Sequence, residues 1–308
     1  MGKVSFKSTL PRLKSIATMR LLLMLVAICG LLFFIIVSTF SKTRTFLIEA
    51  QTTAATISFV GDSNIWMIPN AAICRLKAQP DLTQEETNDP CDRRFYDVEK
   101  QDGLVAAWRD GMTVKATVSQ RNELVIGVEN DVMPSFQDGT KIILSPEAWR
   151  EAGALTFAAQ VTIGTPIGDG EINFLSGGRW EAREAGFTTG MLRSNVTEVI
   201  KSGELVRGGT ATVWSGEAPA ETFGHITPGA SLGGNHMDIV ALSRPGDVEL
   251  HLGYFGTTKP TVVRPDLIDA AISNPLLLAL AIILSIFASA SQFYGDVRDR
   301  RGAVKSRQ

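Results

Sequence analysis

The sequence predicts a membrane-anchored all-β protein in which two transmembrane helices flank an exported antiparallel β-sandwich or barrel-like domain. Three observations carry that expectation. Residues 21–40 and 275–293 are uncharged apolar runs, each long enough as a helix to cross a hydrocarbon core of roughly 30 Å. Basic residues crowd the outer flank of each run. Between the runs apolar residues recur with a period of two, punctuated by glycine-rich turns, which is the pattern of short half-buried strands.

Residues 1–20 hold Lys3, Lys7, Arg12, Lys14 and Arg20 and no acid, so they read as a basic cytoplasmic tail. Residues 21–40 read as the first span. A cleaved secretory signal would need a shorter apolar core and a small-x-small site, and Ser38-Thr39-Phe40-Ser41 is a poor one. Residues 41–273 read as a periplasmic, extracytoplasmic β-rich domain. Residues 274–294 read as the second span, opened by Asn274 as a cap and Pro275 in the first turn. Residues 295–308, with Arg298, Arg300, Arg301, Lys305 and Arg307, read as a second basic cytoplasmic tail. The expected location is therefore a bacterial inner membrane with both termini inside.

Neither run contains an ionisable side chain, which argues against an autonomous pump or channel. The second run places Ala281, Ser285 and Ser289 at four-residue spacing. Small residues so spaced let helices approach closely, and these three read as a helix-packing face.

Within the central region, residues 113–118 and 123–128 read as a hairpin around Gln120-Arg121-Asn122. Further strands are expected at 141–144, 155–163, 171–175, 197–200, 205–207, 210–214, 239–242, 248–252 and 261–264. Gly168-Asp169-Gly170, Gly177-Gly178, Ser202-Gly203, Gly208-Gly209 and Arg244-Pro245-Gly246-Asp247 read as the turns between them. Ser145-Pro146 followed by residues 147–152 and Gly153 has the cap, first-turn proline and glycine stop of a short helix. Residues 98–109 and 266–273 are expected to form two more.

The chain carries 30 basic against 32 acidic residues, and because the two tails hold +5 and +3, residues 21–295 are left with a net charge of −10. A basic nucleic-acid-binding body is excluded on that ground. Cys29 lies in the first apolar run, whereas Cys74 and Cys91 lie in the central region, separated by a polar stretch of turn formers. A disulfide between them is expected, closing a loop worth about 3 kcal/mol. No CxxC pair accompanies them, and His225, His236 and His251 fall in separate segments. His236 with Asp238 supplies two ligands at most, so neither a metal nor another cofactor is expected.

Residues 57–64, Ile-Ser-Phe-Val-Gly-Asp-Ser-Asn, run an apolar strand into Gly-Asp-Ser. This resembles the nucleophile block of the SGNH, or GDSL-type, esterases. Residues 127–131 are similar to that family's Gly-x-Asn-Asp block and residues 247–251 to its Asp-x-x-His block, each with one residue inserted. The resemblance implies Ser63 as nucleophile and His251 as base, on a fold with helices between parallel strands. On the residues alone, a serine needs a base and oxyanion donors, and Gly-Asp-Ser is also an ordinary turn.

Trp180 sits among charges in residues 177–184, which makes it the least core-like of the five tryptophans. Arg179, Trp180 and Glu181 are the candidate binding residues, since exposed loops carry much of function. The expected function is a non-enzymatic inner-membrane scaffold or accessory subunit that presents its β-domain to envelope proteins or glycan. Its expected partners are other membrane or periplasmic proteins, a second copy of the chain, an envelope glycan and membrane lipid. The alternative is an envelope-facing ester hydrolase using Ser63.

Overall fold

The structure is a computed structural model that describes residues 26–28, 30, 33, 43–87, 89–130, 136–165, 174–184, 198–229, 235–257, 259–266, 269, 282, 283, 285, 286 and 289. The chain divides into two compact units, one of residues 43–184 with 197–273, the other of residues 1–42, 185–196 and 274–308. The first unit holds sixteen described strands and one described short helix. The strands are β1 (Arg44–Thr52), β2 (Ala54–Phe59), β3 (Asn64–Leu76), β4 (Tyr96–Trp108), β5 (Thr113–Val118), β6 (Leu124–Asn130), β7 (Lys141–Leu144) and β8 (Leu155–Ile163). They continue as β9 (Leu175–Glu184), β10 (Glu198–Leu205), β11 (Thr210–Ser215), β12 (Ala218–Pro219), β13 (Glu221–Pro228), β14 (Met237–Ser243), β15 (Glu249–Gly253) and β16 (Thr261–Val263). Helix α1 is Pro146–Ala152, with Ser145 Oγ accepting from Ala148 N at 3.2 Å and Gly153 stopping it at φ 72°.

All strand pairings are antiparallel, in the order β10-β9-β1-β14-β13-β8-β2-β5-β6-β7-β3-β4, with β11 branching from β8 and carrying β12, β15 and β16. Burial alternates along nearly every strand, so one face of the ladder is apolar. Phe46 and Ile48 of β1, Ile57 and Phe59 of β2, Val114 and Ala116 of β5, and Phe157 and Val161 of β8 all enter one core. The result is a β-sandwich-like sheet.

The ladder also folds back on itself. Although β3 lies five strands from β8 along the ladder, its first half returns to β8 through side chains. Trp66 Nε1 donates to Thr156 O at 2.6 Å, and Asn64 Oδ1 accepts from Ala158 N at 2.7 Å. Inside this turn Phe59 stacks on Trp108 at 5.2 Å, with Trp66 edge-on to both. Aromatic burial of this size dominates a core.

Several expectations are corrected. Among the described residues no helix is long and apolar enough to cross a membrane, so what the structure describes is an all-β fold and not the expected β-domain flanked by two transmembrane helices. Most of residues 21–40 and 274–294, Ala281 included, lies outside the described residues, as do both tails.

Residues 98–109 are expected to be helical, but 98–108 belong to β4. Leu104, Ala106 and Trp108 are buried while Val105 and Ala107 are exposed, which is a period of two, and β3 supplies partners along the whole strand. The pairs Gly177-Gly178 and Ser202-Gly203 are not turns but lie inside β9 and β10. A Cβ at Gly178 would stand 2.3 Å from Glu49 O of the neighbouring strand, so glycine there serves close approach. Strands β1, β3, β12 and β13 lie outside the expected set, and the strand expected at 171–175 begins only at Leu175.

Candidate functional site

The disulfide lies on the face of the sheet opposite the main core. Cys74, near the end of β3, and Cys91, in the excursion between β3 and β4, are bonded with their Cα atoms 5.8 Å apart. They pack with Val125 and Ile143 in a small apolar cluster on the side of the sheet opposite the main core, with Tyr96 against it. The excursion is itself tied down. Lys77 N donates to Phe95 O at 2.8 Å and Asp81 N to Arg94 O at 2.8 Å. Arg94 clasps Asp92 through Nε at 2.9 Å and Nη2 at 2.6 Å, and these hydrogen bonds hold the Asp92 carboxyl below its ordinary pKa.

Beside this anchored excursion the outer face of β5, β6 and β7 forms the floor of a cleft of about 900 Å³. The cross-strand register places Lys115 opposite Gly127, and Gly127 opposite Lys141. The two lysines therefore stand two strands apart, about 10 Å, with a side-chain-free notch between them. A Cβ at Gly127 would meet only Lys115 O at 3.8 Å, so the notch is open. Pro90, Tyr96, Phe174, Arg207 and His236 rise around the floor and complete the lining. Asn235 Nδ2 donates to Gln120 O at 3.0 Å, tying its segment to the β5–β6 turn.

The charge of the cleft is opposite to that of the region around it. Lys115, Lys141 and Arg207 line it against Glu129 alone among the described acids. Lys141 is held by Pro90 O at 2.9 Å and sits 4.5 Å over the Tyr96 ring. Arg207 lies 4.9 Å over the Phe174 ring. Among the described residues neither has a carboxylate within salt-bridge distance. Elsewhere the pairing is ordinary: Arg179 with Glu49 at 2.7 Å, Arg183 with Glu181 at 2.8 Å, Arg264 with Asp247 at 2.9 Å. A cation positioned by a π face and a carbonyl keeps its net charge.

The sequence-derived candidates fall elsewhere. Trp180 is not exposed but buried, 6.3 Å from Phe46 in the core, so its ring is no stacking platform. Its neighbours alternate outward, Arg179 onto Glu49 and Glu181 onto Arg183. Ser63 is exposed in the turn after β2. The turn is braced by its neighbour Asn64, whose Nδ2 donates to Val60 O at 3.2 Å and Gly61 O at 3.3 Å.

His251 belongs to β15, in register with Thr212 of β11, Thr162 of β8 and Thr56 of β2. It is thus three strand spacings, roughly 14 Å, from even the nearest strand leading to Ser63. Its Nε2 is 2.8 Å from Glu249 Oε1, and its ring stacks on Trp214 at 4.9 Å. The structure does not bring Ser63 and His251 together, and its antiparallel pairing differs from the parallel arrangement that the esterase resemblance implies. Ser285 and Ser289 donate back to Ile282 O at 3.0 Å and Ser285 O at 2.9 Å of their own helix. His236 stands 3.8 Å from Asp238, and among the described residues no group of three or more metal-ligating side chains converges.

Comparison of the chain with protein-family models, curated proteins and solved structures finds no match in any of the three. The lysines and arginine of the cleft escaped sequence reasoning because they come from separate elements. The one local signal is Gly127 within the apolar run 124–128.

Proposed function

We propose that the chain is a non-enzymatic accessory or scaffold subunit, working in an oxidising compartment outside the cytoplasm and presenting its β-domain to envelope proteins or glycan. The observation that carries this reading is the cleft. Its floor is strand-borne and its wall is pinned by the Cys74–Cys91 bond, so its lining is preorganised, which lowers the ordering cost of binding. The disulfide supports the compartment, since such bonds persist where thiols are not kept reduced.

Complementation of a deletion strain tests it. Gly127→Trp fills the notch from the floor without entering the core, and should abolish function at normal abundance. Ser63→Ala should complement fully. The reverse pattern, with ester hydrolysis by the purified protein, would make the chain a hydrolase and remove the binding-module reading.

A further inference from the structure

We propose that the cleft over β5, β6 and β7 binds an anionic saccharide, its charge supplied by phosphate or by uronate carboxylate. This rests on the reading of the domain as a binding module and names what it binds.

Three features select the ligand's chemistry. The first is charge placement: Lys141 stands beside the Gly127 notch in the cross-strand row that also holds Lys115, and Arg207 lines the same cleft. An anionic group entering the notch meets the Lys141 ammonium, and Glu129 is the sole described acid among the lining residues. In a region of residues with net charge −10, such a concave positive patch concentrates anions locally.

The second feature is how the cations are held. Lys141 rests on Tyr96 and Pro90 O, and Arg207 on Phe174. They are oriented before any ligand arrives, and no carboxylate of the described residues has to be displaced from either. The same contacts occupy a face of each aromatic ring, which removes the usual platform for stacking a neutral sugar and makes charge the dominant recognition. The third is the rest of the lining, where the hydroxyls of Thr117 and Ser176 and the amide of Asn235 match a ligand dense in hydroxyls. An acidic peptide would carry the charge but would present amide and apolar groups there instead.

Calorimetric titration of the full-length protein tests this with four probes: glucose 1,6-bisphosphate, a tetrasaccharide of alternating glucuronate and N-acetylglucosamine, maltotetraose and hexaglutamate. One anionic sugar should bind, and the tighter of the two identifies phosphate or carboxylate as the source of charge. Maltotetraose should not bind. Lys141→Gln and Arg207→Gln should each weaken binding by about tenfold or more, the loss expected for a charge-assisted hydrogen bond. Arg150→Gln, on exposed α1 outside the cleft, should leave it unchanged. Should Lys141→Gln fail to fold, Arg207→Gln, which lies in an exposed turn, decides alone.

Binding of maltotetraose as tight as that of the anionic sugars would overturn the proposal. So would tighter binding of hexaglutamate, affinity unmoved by both charge variants, or no binding of either anionic sugar. In that last case loss of complementation by Gly127→Trp would still uphold the binding module, so the two readings fail separately.

Discussion

Gly203 lies directly beneath the indole of Trp180: the two are cross-strand partners between β10 and β9, and a Cβ at position 203 would stand 2.7 Å from Cζ2 and 2.9 Å from Nε1. The ring covers the glycine on one side and meets Phe46 on the other. This pair closes the β10 end of the core, and it explains why a tryptophan set among charged neighbours is buried.

Replacing Gly203 with Ala should therefore destabilise the domain by about 1–3 kcal/mol, the cost of overpacking a filled site. Gly177→Ala, three residues before Trp180 on β9 and with nothing within 4 Å of an added Cβ, should change stability little. Urea denaturation of the two variants compares them, and equal midpoints would mean that the ring moves aside freely.

In the turn after β2, Asn64 and not Ser63 is the structural residue. Asn64→Ala leaves Ala158 N without its 2.7 Å acceptor and should cost roughly 1–3 kcal/mol, as an unsatisfied buried donor does. Ser63→Ala, at an exposed position, should stay within about 0.5 kcal/mol. Thermal melts of both variants provide the check, and a larger loss at position 63 would contradict the bracing role of Asn64.

Cys74 and Cys91 are 17 residues apart in sequence. Opening such a loop in the Cys91→Ser variant should lower stability by about 3 kcal/mol, chiefly by freeing the unfolded chain. It should also loosen the wall carrying Pro90 and Tyr96 against Lys141. Non-reducing peptide mapping of protein from freshly isolated cells should find the pair linked, and two alkylatable thiols there would remove both the bond and the inferred compartment.

The Asp92 carboxyl is held below its ordinary pKa, near 3.9, first by the hydrogen bond from the Arg94 side chain and then by Arg94's backbone amide. Because the folded value is depressed, the contribution of this contact to stability is complete above the unfolded pKa and is lost as pH falls through the folded one. A carbon-detected NMR titration should place the Asp92 midpoint below that of an unpaired aspartate, and Arg94→Gln should move it upward. An unmoved midpoint would show that the backbone amide alone sets it.

The alternation of apolar residues along 113–118, 124–128 and 155–163 determined the antiparallel class of this protein, because side chains on a strand must face opposite sides whatever the surroundings. The Ser145 cap and Gly153 stop determined α1 in the same local way, and the spacing and context of Cys74 and Cys91 pointed to their bond. Only tertiary structure decided the rest. Residues 98–108 became a strand because β3 was present to pair with them along the length of β4. Trp180 went inward because Gly203 left space beneath it, although its neighbours are charged. The cleft depends on register: Lys115, Gly127 and Lys141 form one row only once three strands are aligned, and Arg207 joins them from more than sixty residues further along the chain. Distances of that kind arise when strands distant in sequence share hydrogen bonds and one apolar face, and no local pattern in the chain encodes them.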